Sequence, residues 1–395
     1  MTERRALPVI AAAVLLLAGI AFAIVHERWG VPIGRPFIGT AISTPGFGLQ
    51  LGAMVLGVLA INLVPLALAR HVLIAEGLVC LLGFGVTGAA CLAVVLVWWA
   101  VLDARWLGRG RFALALAVLG GVEATALCAD LAPIGLLFVM LFGVRMVVLA
   151  YDRWQHAPAP TPLGDVLAYL LPAPLVMFPP YLTFIPLFGS FAQAFTPGLT
   201  RARLLRIARH VALAGVFGGL RLVLVYTGAP TMYGRFLGMV LEFAAFAHLV
   251  LPLLLLHGID LAPPLDRPLL ATRYVELWQR YASHQKDAQV FLFYTPALLR
   301  LRRLNRYVAI TLATLWTLVI GSTLLHLVAR YCFAPDAGIA IGRMIAANGI
   351  MGTILAFDLC IDEYRRRSGA PPRSPARIAL GWAVTMTLAA SVALL

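Results

Sequence analysis

Charge is what this sequence has least of. Asp, Glu, Lys and Arg together make up 12% of its 395 residues, about half the share in soluble globular domains. Hydrophobic residues make up 62%, and the mean hydropathy is +0.92. That balance excludes an ordinary water-soluble enzyme and identifies a polytopic membrane protein. Acidic residues are the scarcest charges, 17 against 31 Lys plus Arg, for a net charge of +14. The arginines gather in short loops between apolar runs, which the positive-inside tendency makes cytoplasmic. No soluble domain exists to carry a nucleic-acid interface, so the basic balance does not point to nucleic acid. Cysteine is also sparse: Cys80, Cys91, Cys128, Cys332 and Cys360 lie in or beside apolar spans. With no Cys-x-x-Cys and no histidine at zinc spacing they offer neither a disulfide framework nor a metal site, and they read as packing residues.

What is abundant is apolar sequence of spanning length. Such runs occur near 6 to 25, 46 to 69, 72 to 102, 112 to 128, 131 to 150, 165 to 195, 207 to 227, 236 to 257, 307 to 333, 338 to 361 and 377 to 395. They predict roughly ten to twelve membrane segments in an all-α bundle. The first reads as an uncleaved helix with Arg4 and Arg5 at its cytoplasmic start, rather than as a signal peptide. The run from 72 to 102 is too long for one ordinary span and carries Gly83, Gly85 and Gly88 in its middle. It is one long tilted helix or two shorter ones, and charge bias favours two. The whole chain, 1–395, reads as a single integral membrane domain.

Several landmarks stand out from this scaffold. Arg145 lies in an apolar helix that ends at Tyr151, Asp152 and Arg153 before a Pro-rich turn. It either lines a polar cavity or snorkels to the interface. Residues 172 to 197 are apolar but broken by six prolines. Non-helical backbone at membrane depth needs a protein or water-filled surface to satisfy it, so this segment is expected to line an interior wall. Arg201, Arg203, Arg206, Arg209 and His210 then form a basic amphipathic stretch. It suits an interface helix held by anionic head groups, or a site for the phosphates of coenzyme A. Glu242 and His248 share a later span but lie six apart, off a common face. The run from Val290 to Leu299 is too short to span and reads as re-entrant or interfacial.

The stretch from Glu276 to His326 concentrates the chemistry. A polar segment with Trp278, Arg280, His284, Lys286 and Asp287 leads, through an Arg-rich loop, into an apolar helix carrying His326. Ser322 and Thr323 sit four and three residues before this histidine and Arg330 four after it, which puts all four on one helical face. A hydroxylated, basic stripe on an apolar helix suggests a wet cavity; a lone membrane histidine can equally serve a structural hydrogen bond. Asp362 and Arg366, beyond the next span, are spaced to pair at i, i+4.

The serial order of these landmarks resembles the membrane-bound O-acyltransferases. It runs from an R-x-x-x-L-x-Y-x-D-like helix end (Arg145, Leu149, Tyr151, Asp152) to an F-x-P-x-x-x-x-G-like segment (Phe184, Pro186, Gly189) and a basic helix. A W-R-R-W-H-like stretch (Trp278, Gln279, Arg280, Tyr281) follows, then a Y-I-P-like end (Tyr294, Thr295, Pro296) and a G-x-x-x-H-like helix (Gly321, His326). The resemblance covers about residues 143 to 333, leaving 1–142 and 338–395 as flanking helices. Two departures are visible: Leu325 and Leu327 flank His326 where the family often has Trp and Gly, and Ala282 stands where it often has His or Asn, with His284 two residues on.

The resemblance implies a helical bundle with a central tunnel, no bound cofactor, and an acyl thioester such as acyl-CoA as donor. His326 would be the general base, His284 the second polar partner, and Ser322, Thr323, Arg330, Arg145, Trp278 and Arg280 would line the tunnel. The acceptor would be a hydroxyl of a lipid or glycan. The Lys-poor, Ala- and Arg-rich composition points to a GC-rich bacterial genome, and so to an inner membrane. Two other readings stay open. One is a transporter or flippase with His326, Arg330, Arg145 and Glu242 along its path. The other is an inactive relative that binds a lipid in the same tunnel.

Overall fold

The computed structural model describes residues 6–17, 46–128, 142–155, 161–177, 187–227, 231–281, 283–324, 341–369 and 375–392. Among them every regular element is helical, apart from an isolated bridge between Phe195 and Ile259. The protein is an all-α membrane protein. Val86–Asp103, Arg201–Tyr226, Met232–Leu256 and Gly342–Ser368 are long and apolar enough to cross a bilayer. Ala6–Leu17, Phe47–Leu63, Gly110–Val122 and Arg306–Ser322 are apolar but shorter. At 17 residues, Phe47–Leu63 reaches roughly 25 Å, a little under the hydrocarbon thickness of about 30 Å.

Helix boundaries follow the backbone chemistry. The apolar text from 46 to 102 forms three helices, Phe47–Leu63, Leu66–Leu82 and Val86–Asp103. The expected break near Arg70 is corrected: Arg70 lies within the second helix, and the chain turns instead at Val64 and Pro65, both extended. Proline has no N–H to give a helix interior, so it sits naturally at a start. The second break falls where glycine permits it, at Gly85 with φ +66°. Pro172 likewise separates Leu163–Leu170 from Ala173–Met177, within the expected Pro-broken wall. Phe184 and Pro186 of that wall lie outside the described residues.

The chain divides into two compact units. The first takes the helices up to Phe188–Ala194, the start of Arg201–Tyr226 as far as Leu213, and His248–Ala262. Its interior holds Met54, Ile61, Leu73, Trp98, Phe142 and Tyr169. Gly77 allows close packing here, because a Cβ would overlap the backbone of Leu171. Asn62 joins three segments: its amide donates to the carbonyls of Val58 (2.7 Å) and Leu256 (2.8 Å) and accepts from the N–H of Gly198 (3.0 Å). The second unit holds the described residues of 214–247, from the second half of Arg201–Tyr226 into Met232–Leu256, and everything described from Pro263 onward. Phe236, Tyr274, Val275, Leu318, Leu355 and Met386 form its core.

Candidate functional site

The second unit builds its site on a short helix, Tyr274–Arg280, whose start is clamped by charge. The Glu276 carboxylate accepts from the N–H and hydroxyl of Thr272, both at 3.0 Å, and from Nε of Arg273 at 2.9 Å. From the Ile341–Ser368 helix, Asp358 accepts the N–H of Val275 at 3.2 Å, and Asp362 binds the Arg273 guanidinium. Carboxylates at a helix N-terminus satisfy its unpaired N–H groups and favour its dipole. The expected Asp362–Arg366 pair is thereby corrected. Asp362 is taken by Arg273, and Arg366 turns back to Glu363 at 2.8 Å.

From Ser283 the chain is helical to Arg300, but its middle, Val290–Tyr294, is π-helical. The next helix starts at Arg306, capped by the Asn305 side chain, which accepts from the Tyr307 N–H at 2.9 Å. It too becomes π-helical, over Trp316–Ser322. The two π turns meet at Gly321, where an added Cβ would stand 2.7 Å from the Phe293 ring. π turns are rare and cluster at functional sites, because they widen a helix and turn side chains out of the regular pattern.

Around this crossing the polar groups are paired and buried. Gln289 donates to the Ser322 hydroxyl at 2.8 Å, and Asn348 of the Ile341–Ser368 helix donates to Thr323 at 2.8 Å. Beside them lies a cavity of about 230 Å³ lined by Trp278, Lys286, Tyr294, Thr317, Leu318 and Leu355, among others. Lys286 is the only lysine in the sequence, and its Nζ lies 2.7 Å from Asp287. Burial pushes the Tyr294 phenol above its usual range, with Arg306 pulling the other way, so it stays a neutral donor. The cavity is therefore a mostly apolar slot with an ammonium, a carboxylate and a few hydroxyls on its walls.

The expected site residues divide as follows. Trp278 lines the cavity. His284 is buried, 8% exposed, on Ser283–Gln289, and Ser322 and Thr323 are buried on the second π turn and just past it; none of the three lines the cavity. Arg280 ends its helix, where its carbonyl accepts from the Asp266 N–H at 2.9 Å. His326 and Arg330 lie outside the described residues. Arg145 belongs to the first unit, where it is buried and donates to the Tyr169 carbonyl at 3.1 Å. That carbonyl lies in the last turn of Leu163–Leu170, so the guanidinium caps a helix C-terminus instead of snorkelling.

The other landmarks also find partners. Glu242 faces Arg221 at 3.4 Å, while His248 stacks on His210 with Nδ1 atoms 2.9 Å apart, so the two indeed point different ways. In the basic helix, Arg203 donates to the carbonyls of Thr196 and Gly198, and Arg206 grips Asp260 at 2.6 Å. Arg201, Arg206 and Arg209 are exposed and Arg203 is buried. Sequence reasoning missed Gln289 and Asn348; the available signal was an amide in or beside an apolar helix, where such groups seek partners across helices. Among the described residues no three His, Cys, Asp or Glu side chains converge to hold a metal ion. Comparison of the chain with protein-family models gives no match, and comparison with curated proteins gives none either.

Proposed function

We propose that this protein is a membrane-embedded O-acyltransferase, carrying an acyl group from a cytoplasmic thioester, acyl-CoA or an acyl carrier, to a hydroxyl of a lipid or glycan. One observation carries the reading: two π turns cross at Gly321 and Phe293 beside a cavity lined by Trp278 and Lys286, and the second leads within four residues to His326. The neutral imidazole of His326 takes the proton of the acceptor hydroxyl while its oxygen attacks the thioester carbonyl. A C–O bond forms, the C–S bond breaks, and the departing thiolate receives the proton. Thiolate leaves readily, so no covalent enzyme intermediate is needed, and holding donor and acceptor together supplies much of the rate. Ser322, Thr323 and His284 supply candidate donors to the developing oxyanion. An apolar slot also keeps water from the thioester.

The test is turnover of purified protein in nanodiscs, followed as free thiol released from acyl-CoA and as esterified acceptor. His326→Ala is expected to lower turnover by at least ~100-fold while leaving the melting temperature unchanged. Full activity in that variant sinks the mechanism. Movement of an unmodified lipid by the wild-type protein, with no ester formed, would instead establish a transporter.

A further inference from the structure

A second ionisable centre lies in the first unit and shares no residue with the transfer mechanism. Glu76 is the only acid in the Leu66–Leu82 helix, and its side chain is 2% exposed. His257, which follows the last residue of Met232–Leu256, is 0% exposed. Its Nδ1 lies 2.6 Å from the Leu253 carbonyl. A carbonyl only accepts, so Nδ1 carries a hydrogen. Nε2 therefore faces Glu76 Oε1, at 2.6 Å, and an N···O contact this short holds a proton between the two. Whichever atom owns that proton, the pair has no net charge.

The other oxygen of Glu76 is what makes the pair more than a fastener. Oε2 is buried with no hydrogen-bond partner among the described residues, whereas structural ion pairs normally satisfy both oxygens. Gly57 stands against it, and any Cβ there would overlap the carboxyl; the missing side chain leaves room for the carboxyl group.

Among the described residues, the titratable groups of the neighbouring elements have other partners, and His71, on Glu76's own helix, turns to the Ala67 carbonyl. Phe47–Leu63 and Ala173–Met177 carry no titratable side chain. Cys80 is one turn along Glu76's own helix, Arg70 is bound to Asp165 of Leu163–Leu170, and Tyr169 shares that helix. Val86–Asp103 contributes Cys91 and Asp103. Beyond His257, Asp260 is held by Arg206, and His248 is turned to His210.

We propose that Glu76 and His257 form a proton-exchange site within the apolar helices. A proton delivered by water to Oε2 converts the pair from one shared proton and no charge to two protons and one positive charge, as carboxylic acid and imidazolium. Release through Oε2 reverses the step. The cost of a lone positive charge in apolar surroundings makes the second proton easily lost, as exchange requires.

The experiment treats native membranes containing the full chain with dicyclohexylcarbodiimide, which adds only to a protonated carboxyl, from about pH 5 to about pH 9, and maps the adduct by mass spectrometry. The expected result is modification at Glu76, at a rate that falls about tenfold per pH unit above a single midpoint. In His257→Gln the midpoint moves up by at least about one unit, because the imidazolium that favours carboxylate is gone. Should that variant fail to accumulate, the wild-type curve decides alone. A Glu76 left unmodified at every pH, or modified at a rate indifferent to pH, means a fixed ion pair and overturns the proposal.

Discussion

At position 321 the smallest side chain decides the geometry. A Cβ there would stand 2.7 Å from the Phe293 ring and 3.0 Å from its attachment carbon, closer than carbon atoms pack. Gly321→Ala must push the ring or the π turn aside, at about 1–3 kcal/mol for an overpacked contact. A lower melting temperature in detergent, with the cavity's ligand affinity reduced alongside, is the expected outcome; an unaltered melt would show that Phe293 yields freely. Residues of this kind mark the limit of the sequence. Ser322 and Thr323 were legible because they stand four and three residues before His326 in an otherwise apolar run, and the structure buries both. Their partners Gln289 and Asn348 were not, because an amide's partner is fixed by which helices pack together. Lys286 stood in view as a charge in a polar segment, but its place on a cavity wall depends on helices up to about 70 residues away in sequence.

Among the elements, the Ile341–Ser368 helix does the most connecting. It supplies Asn348 to Thr323, Asp358 to the start of Tyr274–Arg280, and Asp362 to Arg273. Its C-terminal end is organised by Glu363, which accepts from Arg366 at 2.8 Å and Arg367 at 2.8 Å, with Arg306 at 3.8 Å. Replacing this carboxylate leaves the arginines without their shared acceptor, so Glu363→Gln should melt lower than the wild type at neutral pH, by about 1 kcal/mol of stability. Identical melting would show that the arginines are merely adjacent. The elements were legible where backbone chemistry announces itself, as at Gly85. Pro65 was available too, but the charge at Arg70 drew the boundary away from it. The π turns have no compositional mark, since Val290–Tyr294 and Trp316–Ser322 would suit an α-helix equally well.

For the whole molecule, the distribution of arginine is the clearest statement about orientation. Arg300, Arg302, Arg303 and Arg306 adjoin Glu363 and the Arg365–Arg367 cluster through the Arg306 contact, and charge bias predicts that this basic end faces the cytoplasm. A cysteine at the exposed position 302 (Arg302→Cys) should react with a membrane-impermeant maleimide in inside-out vesicles and not in right-side-out ones; the opposite pattern would invert the topology. The all-α membrane class was legible from composition alone, whereas the division into helices was less so: apolar content marks 46 to 102 as spanning, yet only one of its three helices, Val86–Asp103, has full crossing length and composition.

The paired π turns have a further consequence for how such a chain can change. A π turn holds one more residue than an α turn over much the same rise, so each is in effect a tolerated insertion. Removing one residue from Trp316–Ser322 would let the helix relax to regular winding with the later residues kept in register, whereas the same deletion from the regular turns of Arg306–Leu315 would rotate every later residue by about 100° around the axis. The π turn is thus the place in this helix where a one-codon deletion costs least, and the α turns before it are where the same deletion costs most.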